Sequence, residues 1–395
     1  MTTIPSPSPR RTQHRRVHMG SLAPTVLAVS TCIACSHSHP LAPPAAPLTP
    51  PARLCGDEDA DTDCWQADDV ELWLKADKLN ILGMTEPPSG TQGAKVVTLE
   101  IEEAGMRFVF RAKWRPQSSA GFINEPRKEL AAYAVQKLFL DPSAYVVPPT
   151  AAHCFPLSQY RRFVPQAEAS FLHTDCVFGF VSYWLENVHT VESAEDEDLI
   201  DGDDSIWDPE RFETDRVYRS SVARANLLTY AINHGDMHEL QFLVEPTPKG
   251  LRAYVVDNSI AFLSIKNPML LFREDWSELQ VPAVPTITLS RLRALSAADY
   301  GSLATIARFE QRGKSLYQVM HPPPGDEEPT AISWNGSELR VGLTQKEIDL
   351  VRARLANLLR DGRLEPSPPV EPGSVSRTAP TTGPLEPLAG FPLLL

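Results

Sequence analysis

His234-Gly235-Asp236-Met237-His238-Glu239-Leu240-Gln241-Phe242-Leu243-Val244, followed by Tyr254-Val255-Val256-Asp257-Asn258-Ser259, is the stretch whose reading decides the fold. A helical pattern, Val217 to Ile232, runs into a polar turn carrying Asp236. An apolar triplet follows, then a short loop, then a second apolar run that ends on Asp257. That order predicts two carboxylates at the ends of neighbouring strands. No other part of the chain carries residues this specific.

Upstream of it the pattern alternates. Lys95 to Glu103 and Met106 to Lys113 read as strands joined by a turn at Ala104-Gly105, with the glycine-bearing loop Ser89-Gly90-Thr91-Gln92-Gly93 just before them. Lys128 to Leu140 reads as a helix stopped by Asp141-Pro142, and Val177 to Leu185 as an apolar, aromatic-rich strand. Downstream, Thr344-Gln345-Lys346-Glu347 is a capping box. It opens an amphipathic helix carrying Ile348, Val351, Leu355, Leu358 and Leu359, which Gly362 ends. The acidic stretch 192–215 lacks the spacing of an EF-hand loop and reads as a solvated insertion, with weak calcium binding as the alternative.

Composition bounds the class. The 395 residues are 42% apolar and 22% charged, which is ordinary for a globular chain with a real core. The net charge of -13 argues against a nucleic-acid binder that works by neutralising phosphates. Arg10, Arg11, Arg15 and Arg16 precede a short apolar core, Leu22 to Ala34, so residues 1–34 read as an export signal too short to span a bilayer. Ala34-Cys35-Ser36 is similar to a bacterial lipoprotein processing site, with Cys32 where such sites usually carry Leu. It predicts a lipid on Cys35 and attachment to the cell envelope; cleavage without lipid, giving a secreted protein, is the alternative.

The remaining cysteines are Cys55, Cys64, Cys154 and Cys176, an even set that suits an oxidising compartment. The simplest pairing is Cys55 with Cys64 and Cys154 with Cys176, though four cysteines allow three connectivities. Residues 35–64 hold the processing site and a Pro-rich tether, 65–362 the folded domain, and 363–395 a Pro-rich tail without core-forming pattern.

A strand-end lysine, Lys113, a helical glutamate, Glu129, and the aspartates Asp236 and Asp257 occur in the order that phosphoryl transfer requires. Such chemistry needs a cation on phosphates, a carboxylate near the attacking hydroxyl and oxygen ligands for magnesium. Gly235 to Gln241 resembles the G-D-R-H-x-x-N catalytic loop of the phosphatidylinositol 3-/4-kinase-like branch of the kinase superfamily. Val255 to Phe262 resembles that branch's hydrophobic-Asp-x-Gly-x-x-Phe segment, and also the D-N-G segment of secretory-pathway kinases. Glu129-Leu130-Ala131-Ala132-Tyr133 with Val147-Pro148-Pro149-Thr150 resembles the E-x-A-A-Y helix and V-P-P turn of bacterial members. The resemblance spans roughly residues 90–265.

It implies an α+β, two-lobed kinase-like fold: a small β-rich lobe over about 65–185 and a mostly helical lobe over about 190–362. It implies ATP with Mg²⁺ or Mn²⁺, and an unidentified hydroxyl acceptor on a protein, glycan or lipid head group. Lys113 would contact the α- and β-phosphates, and Glu129 would orient it. Asp236 would orient the acceptor hydroxyl, with His238 on the transferred phosphoryl. Asp257 and Gln241 would hold metal, and Glu186 and Asn187 would form the lobe connection against which adenine packs. Gln241 stands where the branch has Asn, Met237 where it has Arg and Ser259 where it has Gly. Those departures bear on the reaction more than on the fold, and a binding protein of pseudokinase type is the first alternative. A second is a His/Asp metal hydrolase, since His234, Asp236 and His238 alternate along one segment and point to one side if it is extended.

Overall fold

The computed structural model describes residues 53–57, 64–88, 93–121, 123–201, 205–263, 275–320, 329–361 and 365–366. The expected export signal, Cys35, most of the tether and the tail from 367 onward lie outside these residues, as do Ser89 to Gln92 and Gly362.

The chain is mixed α+β, with most of its strands in antiparallel sheets and one short parallel pair, Ala283–Val284 with Glu365–Pro366. In order it forms α1 (Ala67–Lys75), β1 (Asn80–Thr85), β2 (Lys95–Glu103), β3 (Met106–Pro116), α2 (Arg127–Gln136), β4 (Thr150–Pro156), α3 (Leu157–Tyr160) and β5 (Cys176–Tyr183). β6 (His189–Thr190), α4 (Val191–Asp196), α5 (Pro209–Thr214), α6 (Arg216–Ala231), β7 (Phe242–Thr247) and β8 (Gly250–Val255) follow. The last part holds β9 (Ala283–Val284), α7 (Thr286–Ala294), α8 (Ala297–Gly301), β10 (Ala307–Arg312), β11 (Ser315–Gln318), β12 (Ile332–Asn335), β13 (Glu338–Val341), α9 (Gln345–Asp361) and β14 (Glu365–Pro366).

The first sheet has the order β1-β2-β3-β5-β4 and is antiparallel throughout. Its alternation follows the sequence. On β3, Phe108, Phe110, Ala112 and Trp114 are buried against Val97, Leu99, Trp73 and Tyr183, so the odd-numbered residues face the other way. Gly179 on β5 is required by close approach: a Cβ there would meet the Arg115 carbonyl oxygen at 2.3 Å.

The largest core gathers around α6, which buries Val222, Leu227, Leu228 and Ala231 with α2, β7, β8, α7 and α9. One polar side chain inside it is fully matched. Asn226 donates to the Trp276 and Glu278 carbonyls, and its oxygen accepts from Gln280 and Val281 N–H. β7 and β8 form a three-stranded sheet with β6 and deliver the chain to Asp257.

The segment expected to be mostly helical also contains a four-stranded sheet, β11-β10-β13-β12. Its strands are only four to six residues long, and Arg, Glu and Gln alternate with single apolar residues, so no apolar run marks them. What holds them is packing: Phe309, Leu339 and Val341 bury against Phe178, Phe180 and Ala152 of the first sheet. Both expected disulfides form, Cys55–Cys64 and Cys154–Cys176. The packed chain begins earlier than expected, since Leu54 and Cys55 are buried, and ends later, since β14 pairs with β9. Of the acidic stretch, Glu192 to Asp196 lie in α4 and residues 202–204 lie outside the described part.

α9 starts as its capping box dictates. The Thr344 hydroxyl accepts from Glu347 N–H at 3.4 Å, and Glu347 Oε2 accepts from Thr344 N–H at 2.8 Å. Glu347 also takes both arms of Arg127, at 2.7 and 3.1 Å, which joins the starts of α2 and α9 in a buried pair. Removing one partner of such a pair strands the other charge. Glu347→Ala is therefore expected to cost about 3–5 kcal/mol of unfolding free energy. A urea-unfolding free energy within about 1 kcal/mol of the wild type would show that the pair does not fasten these helices.

Candidate active site

Strand β3 carries Arg111, Lys113 and Arg115 on the face away from its core residues. Lys113 stands across from Val96 on β2 and Ser182 on β5. Helix α2 brings Glu129 in its first turn, buried, beneath that face. Lys113 Nζ donates to Glu129 Oε1 at 2.8 Å and to Asp257 Oδ1 at 3.1 Å. The other Glu129 oxygen accepts the Asn258 N–H at 3.0 Å. One buried carboxylate thus ties the strand lysine to the Asp257 turn.

Arg115 completes the cluster. Its guanidinium donates to Ser259 Oγ at 2.8 Å and to Asn124 Oδ1 at 2.7 Å, and lies 3.4 Å from Asp257 Oδ1. Two cations therefore face two carboxylates. The Lys113 cation draws the Asp257 carboxyl well below the usual carboxylate range, against the upward push of burial. Burial works against the Lys113 ammonium, but Asp257 and Glu129 outweigh it and raise its pKa above the ordinary lysine value.

Asp257 has φ 59° and ψ 49°, the left-handed region that a non-glycine residue enters at a cost of roughly 1–3 kcal/mol. Three of its neighbouring groups are fixed from outside. Lys113 and Arg115 hold the carboxylate, Glu129 holds the following N–H, and His234 Nε2 lies 3.2 Å from the Asp257 carbonyl oxygen. The other nitrogen of His234, Nδ1, accepts the Asp236 N–H at 3.3 Å. These two contacts require a neutral ring with its proton on Nε2.

The two loops are stitched by the backbone as well. Gly235 N–H reaches the Ile260 carbonyl, Phe262 N–H the Ile232 carbonyl, and Val256 N–H the Gln241 carbonyl. Asp236 is half-buried, with Gln241 Nε2 at 3.4 Å from its Oδ2 and His238 Nε2 at 4.0 Å from its Oδ1. Met237, where the resembled loop has an arginine, is fully buried in the largest core, where a guanidinium would lose its water.

The structure thus brings Lys113, Glu129 and Asp257 into direct contact, and Asp236, His238 and Gln241 into a second group joined to them through His234. Glu186 is placed differently: it forms a bidentate ion pair with Arg111, two positions before Lys113 on β3, and Asn187 follows at φ 55°. Arg115, Asn124 and Ser259 were not foreseen. Arg115 had a signal, since a residue two places along a strand shares its neighbour's face.

Oxygen donors suited to a hard cation are present. The side-chain oxygens of Gln241, whose amide lies beside Asp236, and of Asn258, next to Asp257 in the chain, are buried without a hydrogen-bond partner. Magnesium uses one or two carboxylates, completed by waters and substrate phosphates, so this donor set fits it. Among the described residues no three His, Cys, Asp or Glu side chains converge as metal ligands. The alternation of His234, Asp236 and His238 does not make such a set, because both ring nitrogens of His234 contact backbone. Comparison with protein-family models finds no match to this chain, and comparison with curated proteins finds none.

The buried histidines set a pH dependence. Burial pushes His234 and His153 from 6.5 down to about 4. The unfolded chain takes up these protons near 6.5 and the folded chain only near 4, so folded stability is full above 6.5 and falls with pH between these values. Each site is worth on the order of 3 kcal/mol once pH reaches about 4. Urea midpoints should fall from pH 7 to pH 4.5, and His234→Gln should flatten part of that fall. A wild-type midpoint that holds level over this interval would contradict the assignment.

Proposed function

We propose that the chain is a kinase-like protein of two lobes that binds ATP with Mg²⁺ or Mn²⁺ and transfers phosphate to a hydroxyl of a protein, glycan or lipid head group. The observation that carries this reading is the ion pair of Lys113 with Glu129, 2.8 Å long and meeting Asp257. A strand lysine paired to a glutamate on the next helix, beside a metal-binding aspartate, is the arrangement kinases need for activity. The order β1-β2-β3-β5-β4, with α2 inserted between β3 and β4, fits the small lobe of that reading.

In it, Lys113 binds the α- and β-phosphates and Glu129 orients it. Asp257 and Gln241 are the metal ligands, and the chemistry a divalent ion supplies there is neutralisation of phosphate charge. Asp236 orients the acceptor hydroxyl, His238 reaches the transferred phosphoryl, and Glu186-Asn187 lies along the adenine. The export signal and a lipid on Cys35 would place the protein at the cell envelope, a part of the proposal that rests on sequence alone.

A second reading, nucleotide or ligand binding without transfer, is favoured by one observation. Gln241 is one methylene longer than the expected asparagine, and its Nε2, not its oxygen, faces Asp236. The near-ideal octahedron magnesium demands is then harder to complete at that position.

Thermal unfolding with ATP and Mg²⁺ or Mn²⁺ tests the first reading. Saturation at a hundredfold excess over Kd adds about 2.7 kcal/mol, a rise of several degrees. Lys113→Met and Asp257→Asn should abolish the rise, and the wild type should autophosphorylate. No shift with any nucleotide would sink both nucleotide readings, and a shift without phosphate transfer would leave only the second.

A further inference from the structure

A cavity of about 590 Å³ lies away from the Lys113 cluster, between α6, the start of α7 and the turn after α2. Among the described residues five arginines line it, Arg216, Arg219, Arg224, Arg252 and Arg291, against two carboxylates, Asp57 and Asp141. On a chain whose net charge is -13 this concentration runs against the average.

The arginines are not all compensated. Arg291 pairs with Asp141, and Arg224 with Asp57 at 2.6 Å. Arg252 is 6% exposed and donates to three carbonyl oxygens, those of Leu54, Ser143 and Tyr145. Arg219 likewise bonds the Phe212 and Glu213 carbonyls. Among the described residues neither Arg219 nor Arg252 has a carboxylate within ion-pair distance. Arg224 is 8% exposed, and its Nε has no hydrogen-bond partner. Arg252 hydrogen-bonds only neutral acceptors and shares the Asp57 carboxylate with Arg224, so two buried guanidinium charges rest on one carboxylate, which is costly unless a further anion shares them.

A second feature points the same way. Helix α7 begins at the cavity with Thr286, Ile287 and Thr288 among its lining residues. It has no side-chain cap and no acidic residue in its first turn. Its first-turn N–H groups and dipole add positive potential, and the Thr286 hydroxyl adds a donor. Asp57 sits in the same space, bonded to Arg224 and Ser143, and among the described residues is the one carboxylate that faces the two buried arginines.

We propose that this cavity is a binding site for a phosphate monoester on a small polar body, such as a sugar phosphate, with Asp57 as the carboxylate that competes for it. Arginine suits the task because its fork takes two oxygens of one phosphate. The volume lies within the usual range for small-ligand pockets, and Ser220 and Thr286 at its wall add hydroxyls that a polyol could meet. This site is independent of the Lys113 cleft and of the reading given for it.

Calorimetric titration of the full chain with inorganic phosphate and glucose 6-phosphate, beside glucose and NaCl of equal ionic strength, tests the proposal. Vesicles carrying phosphatidic acid distinguish a lipid headgroup from a soluble ester. Glucose 6-phosphate should bind, and glucose and salt should not. Arg219→Gln, half-exposed and the least disruptive change, should weaken binding about tenfold. Asp57→Asn should tighten it, and Lys113→Met should leave it unchanged. The proposal fails if phosphate esters bind no better than salt, if Arg219→Gln and Asp57→Asn both leave Kd unaltered, or if Lys113→Met alone removes binding.

Discussion

Glu129 directs its two oxygens to two distant parts of the chain: Oε1 takes the Lys113 ammonium and Oε2 the Asn258 N–H. Its carboxylate is nearly buried, so neither contact is diluted by water. The position of strand β3, the entry angle of α2 and the turn at Asp257 all have to be consistent with that one group. Without it, Lys113 would keep only the half-exposed Asp257 as a counter-charge, and the left-handed Asp257 backbone would lose the bond to its following N–H.

That arrangement depends in turn on the large core. α6 ends in a turn at Asn233 and His234, and the backbone bonds Gly235 to Ile260 and Phe262 to Ile232 lock the Asp236 loop beside the Asp257 turn. His234 is the inner member of this junction, with no exposed surface and a neutral ring that donates on one side and accepts on the other. A charged ring would set two donors against each other at Asp236 N–H, which explains why burial and hydrogen bonding select the same protonation state. Met237, fully apolar, seats the loop on that core, so the residue that departs from the resembled loop also anchors it.

The sequence was most legible where one periodicity ran long enough. β2 spans Lys95–Glu103 as its alternation reads, and β3 runs three residues beyond Lys113 because Trp114 continues the buried face and Arg115 the polar one. The capping box at Thr344 placed α9 because a cap is a local interaction, complete within four residues. The late sheet was hidden for the opposite reason. Strands such as Ile332–Asn335 acquire their meaning only from Phe178 and Phe180, more than 100 residues away in sequence, which no local pattern contains. At the candidate site the strand-end and helix residues were readable as types in order. The partnering of Arg115 with Asn124 and Ser259 required tertiary contact to be seen.

The cleft and the arginine-lined cavity differ in how their charge is balanced, and this decides what each can accept. At Lys113, an ammonium with three donors makes two carboxylate bonds, so a phosphate oxygen can take the third without breaking either. Arg115 beside it is bonded to neutral Ser259 and Asn124, and its charge acts as background that favours an incoming anion. The same cations also hold Asp257, and a divalent ion arriving at that carboxylate would have to share it with them. On the proposed reading, a phosphate oxygen drawn to Lys113 and Arg115 would loosen their hold on Asp257 and so make room for the divalent ion, which is how a magnesium nucleotide would differ there from a free cation. Among the described residues lining the arginine-lined cavity, arginines outnumber carboxylates, so the site proposed there would take an anion without a metal beside it.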